Sequence, residues 1–113
     1  MDENLEKLRD SILKFREDRN WKQFHRTKDL LIGLNVEVSE LQELFLWKSD
    51  REIDEIHKSD IENEIADIFI FLTYLCDAFD IDLREAVLKK IDLNNEKYPV
   101  EKSKGSNKKY NEL

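Results

Sequence analysis

Two glycines and one proline in 113 residues leave this chain few means of turning sharply. A β-sandwich or barrel needs a turn signal every ~8–12 residues, so those architectures are excluded. The fold class is all-α, a four-helix-bundle-like arrangement. Gly33 and Gly105 cannot between them write GxGxxG or GxxxxGK, which removes the Gly-rich phosphate loops. The length allows a single core. The reading is one helical domain over 1–113, its core at about 4–99 and a polar tail at 100–113.

Acidic residues outnumber basic ones 26 to 19, for a formal charge of −7. A protein built to grip nucleic-acid backbone needs a positive footprint, so no nucleic-acid polymer is expected as partner. An acidic chain that handles phosphates does so through bound cations. The lone Cys76 cannot form an internal disulfide and fits a reducing, cytoplasmic setting as a core thiol. The start, MDENLEKL, has no apolar signal region, and Ile68 to Cys76 falls far short of the ~20 apolar residues of a membrane span. No membrane association is expected.

Apolar spacing predicts four helices. The first runs from Asn4 to Arg19 on Leu5, Leu8, Ile12 and Phe15, capped by Asp2 or Asn4. An aromatic cluster, Trp21, Phe24 and His25, interrupts it. The second runs from a Thr27 cap to Trp47 on Leu30, Leu31, Leu34, Val38, Leu41, Leu44 and Phe45. After a polar loop, Ser59 with Glu62 spells a capping box for a third helix ending near Phe79. Asp82 with Glu85 starts a fourth, which Pro99 ends. The tail is read as mobile or pinned to a neighbour. From Ile65 the third helix is apolar nearly all round and must be covered on every side, so a homo-oligomer, a dimer or tetramer, is expected.

Inside that apolar setting Glu64 and Asp67 share a helical face, and Glu37 and Glu40 match them on the second helix. In an antiparallel hairpin, facing positions keep a constant index sum. Glu37 with Asp67 and Glu40 with Glu64 both give 104, and the midpoint is Glu52, inside the polar loop. Four carboxylates level with one another repel and are driven to protonate. A hard divalent cation relieves this, and Mg2+ keeps open positions for substrate phosphates. Oxygen-only ligands favour Mg2+, with Mn2+ as a possible substitute, over zinc or iron. Glu-x-x-His is missing from His25 and His57, which excludes the ferritin-like di-iron site.

The four acids, with RNWKQFH (19–25), LLIGLNVEVSELQELFLWKSD (30–50), ENEIADIFIFLTYL (62–75) and KKIDLNNEKYPV (89–100), resemble the MazG-like all-α nucleotide pyrophosphohydrolases, in their dCTP-pyrophosphatase-like branch. The tail, with Lys104-Gly105-Ser106 and Lys109-Tyr110, echoes that branch too. The resemblance implies Mg2+-dependent hydrolysis of a nucleoside triphosphate, by preference a deoxynucleotide, to the monophosphate and pyrophosphate. It makes Glu37, Glu40, Glu64 and Asp67 metal ligands; by general acid–base chemistry one carboxylate, Glu40 or else Glu37, takes the proton of the attacking water as catalytic base. The resemblance also puts Trp21, Trp47, His25 and Asn94 near the base. Relatives that prefer dCTP carry Tyr at Phe71 and His at Ile12, so this chain implies a broader dNTP range. Taken singly these residues keep bland readings: both tryptophans as helix-end packing, His25 as a local hydrogen-bond partner, Asn94 as a register-fixing amide, Lys90 as a solvated cation instead of a phosphate contact. A non-catalytic acidic adaptor and a nucleotide-sensing Mg2+-binding regulator are the alternative functions.

Overall fold

The computed structural model describes residues 2–113, with the backbone alone at Asp2. Helix α1 spans Asp2–Asp18, α2 Thr27–Glu43, α3 Asp50–Asp54, α4 Lys58–Ala78, α5 Leu83–Lys97 and α6 Val100–Ser103; short 3-10 turns lie at Lys22–Phe24 and Tyr110–Glu112. No strand occurs among the described residues.

Several helix ends differ from those the sequence suggests. Asn4 lies inside α1 and caps nothing, and the Asp2 side chain is outside the described residues. Arg26, in extended geometry, stands at the cap position of α2, and Thr27 is its first helical residue. That helix stops at Glu43. The chain continues through single-turn bonds, such as Leu44 N to Leu41 O at 3.2 Å and Lys48 N to Phe45 O at 3.2 Å, until Trp47 adopts a left-handed φ of 63°. The polar loop holds the extra helix α3, and the reciprocal capping box belongs there, between Ser49 and Glu52. The Ser59/Glu62 box does not form, because α4 starts at Lys58 behind His57. The Asp82 start holds: its carboxylate accepts from Glu85 N at 3.0 Å.

Through Asp80 the chain forms one compact unit, and Ile81–Leu113 a second. In the first, α2 and α4 pack antiparallel as the main interface, with α1 on α4. Gly33 shows why the two helices approach so closely. A Cβ there would collide with the edge of the Phe71 ring, and positions 33 and 71 share the index sum 104 that pairs the acids. Ile12, Leu30 and Tyr74 form the buried core, backed by Leu13, Phe69, Ile70, Phe71 and Leu75. Of the apolar side chains described, these three alone are buried. No residue from 68 to 77 is fully exposed, yet the cover over α4 is thin.

Gly33→Ala gains up to ~1 kcal/mol of helix propensity but overpacks the α2–α4 contact, which costs ~1–3 kcal/mol. A net loss of stability is expected in urea denaturation, and Phe71→Leu in the same chain should restore part of it. Unchanged stability of the single variant would show that Phe71 can step aside freely.

In the second unit the tail folds back on the end of α5. Ser103 Oγ donates to Tyr98 O at 3.1 Å and to Pro99 O at 2.7 Å, and the Tyr98 and Tyr110 rings meet edge to face at 6.1 Å. Within one chain the tail is thus held against the end of its own helix α5.

Candidate metal centre and its surroundings

One carboxylate oxygen from each of Glu37, Glu40 and Glu64 lies within 4.8 Å of the other two. The α2–α4 register produces this: Glu37 and Glu40 are one turn apart on α2, and Glu64 faces them from α4. Glu37 and Glu64 are half-buried and Glu40 is exposed. Glu37 Oε2 and Glu64 Oε2 are shut off from solvent and have no hydrogen-bond partner. A buried anionic oxygen without a partner is costly. Burial, then the approach of Glu40, then the charges of Asp67 and Glu64 push the Glu37 carboxyl up to about 7. Burial and Glu40 also raise Glu64.

Asp67 lies one turn along α4, exposed and outside the close triad; its charge is felt by both Glu37 and Glu64. A divalent cation fits this donor set. It would partner the two stranded oxygens and remove the repulsion that raises the carboxyls.

A carboxyl whose pKa rises from 4.5 to about 7 on folding binds more protons folded than unfolded, so stability falls as pH climbs through that window. The metal-free protein should lose thermal stability between about pH 4.5 and 7. A divalent cation must displace the proton, so MgCl2 should raise Tm more at pH 8 than at pH 5.5 in scanning fluorimetry. Equal shifts at the two pH values would contradict this site.

The aromatic candidates divide into two places. Phe15 and Tyr74 help line a cleft of 210 Å³ with Ser11, Ile12 and Ile70. The Trp21 indole stands edge-on to Phe15 at 5.6 Å, and the His25 ring lies 4.7 Å from that of Tyr74. Trp21 and His25 thus each touch one ring of the cleft lining without lining it themselves. His25 makes no local hydrogen bond through Nδ1, which is buried without a partner; burial and then the Arg16 charge lower its pKa. Trp47 stands elsewhere, 92% exposed. Lys90 and Asn94 are exposed on α5, in the second unit; Asn94 O accepts from Tyr98 N at 2.8 Å.

The sequence reading missed Arg16. Only 3% exposed, it donates to Asp77 and Glu17, both at 2.9 Å, and its guanidinium lies 5.4 Å from the Tyr74 ring centroid. The signal was available, because Arg16 is one turn beyond Ile12 on the buried stripe of α1.

The MazG-like family model matches residues 32–113. The dCTP pyrophosphatase 1 of Mus musculus is 40% identical over 96% of this chain and 67% of its own length; that of Homo sapiens is 38% identical over the same shares. The crystal structure of a pyrophosphatase from Archaeoglobus fulgidus superposes with a TM-score of 0.78 at 40% identity, covering 85% of this chain and 93% of that one. No helix among the described residues is long and apolar enough to cross a membrane. With its family model, its relatives and its fold in agreement, this chain belongs to the MazG-like family.

Proposed function

We propose that this chain, a nucleoside triphosphate pyrophosphohydrolase by family and relatives, hydrolyses deoxynucleoside triphosphates to the monophosphate and pyrophosphate with Mg2+, as cytoplasmic nucleotide-pool housekeeping. The observation that carries the reading is the pair of buried, unpartnered oxygens on Glu37 and Glu64 beside Glu40. Glu37, Glu40, Glu64 and Asp67 would hold the ion, since Mg2+ and its substitute Mn2+ favour oxygen donors. When bound it supplies the positive charge that neutralises triphosphate oxygens. Glu40, the most open of the clustered three, takes the proton of the attacking water as general base, and Glu37 is the other candidate for that role.

The base lies against aromatic surface. The cleft between α1 and α4 is apolar, and its one aliphatic hydroxyl, Ser11 Oγ, is already engaged with Lys7 O at 3.0 Å. A base held there, with Trp21 and His25 alongside, is selected by shape and stacking more than by hydrogen bonds, which favours a broad dNTP range. Trp47 and Asn94 are assigned to the substrate by resemblance, as stacking surface and base-edge partner, and Lys90, one turn before Asn94 on α5, as a phosphate contact. Trp47→Ala should raise KM for at least one dNTP with little change in Tm, because the indole is bare in the folded chain; an unchanged KM for all four would remove its role.

The three-residue buried core supports a homo-oligomer that covers α4 and the exposed apolar side chains. Static light scattering should give a dimer or tetramer, and a monomer at micromolar concentration would contradict it. The activity itself is tested by incubating the protein with each dNTP, dCTP first, and measuring pyrophosphate with Mg2+ and with EDTA. Release with Mg2+ and none with EDTA supports the reading; no release from any dNTP overturns it.

A further inference from the structure

The second unit carries a basic loop that the acidic cluster does not explain. Residues 99–109 leave the end of α5 and return to it. The Tyr98–Tyr110 contact at 6.1 Å closes the ends, the Lys97 Nζ lies 5.2 Å from the Tyr110 ring centroid, and Ser103 Oγ ties α6 to Tyr98 and Pro99. Ser106 Oγ accepts from Lys108 N at 3.2 Å and shapes the turn. A loop closed by its own side chains holds its shape before any ligand arrives.

This loop holds Lys102, Lys104, Lys108 and Lys109 against one acid, Glu101, in a chain of formal charge −7. All four lysines are exposed, and among the described residues none enters an ion pair. At the centre, Gly105 has a φ of 76° and nothing within 4 Å of where a Cβ would sit, so the backbone there is open to a ligand. Four like charges in eight residues repel one another, and a multivalent anion relieves that repulsion.

We propose that the 99–109 loop is a polyphosphate-binding element, taking the phosphate chain of a nucleoside triphosphate. The choice of ligand rests on the hydrolase reading; the basic loop itself does not. A phosphate chain packs several anionic oxygens into a few ångströms and suits four lysines carried within eight residues of one closed loop. A nucleic-acid backbone spreads its charge along a strand and would meet a protein of net negative charge.

The test uses the full chain in EDTA, which silences the acidic cluster, with inorganic tripolyphosphate titrated by calorimetry at low salt. The wild type should bind. The Lys104→Gln/Lys108→Gln/Lys109→Gln variant should bind about tenfold or more weakly with the same Tm, and the matching Lys→Arg variant should recover binding. Tripolyphosphate should also slow tryptic cleavage within the loop of the wild type alone. No binding by the wild type, equal binding by the Gln variant, or tighter binding to single-stranded DNA than to tripolyphosphate overturns the proposal. Because no turnover is measured, a chain that fails to hydrolyse dNTPs can still pass this test, and an active chain can fail it.

Discussion

Glu64→Gln should cost about a hundredfold or more in dNTP turnover while making the metal-free protein more stable. The two effects share one cause. Glu64 contributes a buried oxygen with no partner to a cluster whose members repel, and its charge helps push Glu37 towards a pKa of about 7. An amide of the same shape removes that repulsion, so Tm in EDTA rises. It also removes an anionic donor that a divalent cation requires, so the Tm gain on adding MgCl2 shrinks and turnover falls. A structural carboxylate would behave in the opposite way and lose stability on amidation. Wild-type-like turnover by Glu64→Gln, or a lower Tm in EDTA, would remove the assignment of the cluster. Glu40→Gln should match its loss of activity. Asp67→Asn should lose turnover with a smaller gain in stability, because Asp67 stands exposed outside the close triad.

That cluster was legible in the sequence because helix pairing has a simple arithmetic. An antiparallel register relates any two facing positions by one sum, and the acids satisfied it without reference to helix ends. Gly33 and Phe71 obey the same relation, so the register holds along the interface as well as at the site. Helix ends were less legible, because their cues are degenerate. Ser49/Glu52 and Ser59/Glu62 both spell S-x-x-E, and only the first pair closes a capping box. The end of α2 was hidden for another reason. Leu44 to Trp47 continues an apolar run, and nothing in its composition marks the change to single-turn bonds and a left-handed Trp47. The folded tail depends on Tyr98 meeting Tyr110, a contact twelve residues apart that periodicity does not register.

Arg16 was overlooked because charge was read as exposure, and its energetics give the largest stability effect expected here. Burial works against the guanidinium, yet Asp77 and Glu17 outweigh it and hold the charge in place. Arg9 also donates to Asp77, at 3.0 Å, so one carboxylate tied to α4 serves two arginines on α1. Removing one partner of a buried pair leaves an uncompensated charge, at a cost of ~3–5 kcal/mol, whereas replacing both with apolar groups is often nearly neutral. Glu17 remains beside Arg16, and the Asp77 side chain is 19% exposed, so Asp77→Ala should cost less than that range, about 2–3 kcal/mol. Arg16→Met keeps the packing against Tyr74 and removes the stranded charge, so it should cost less than Asp77→Ala. The double variant Arg16→Met/Asp77→Leu should recover most of the loss. Urea denaturation of the three variants measures the order. If Arg16→Met proves the most damaging of them, the guanidinium's hydrogen bonds, and not the balance of charge, hold α1 against α4.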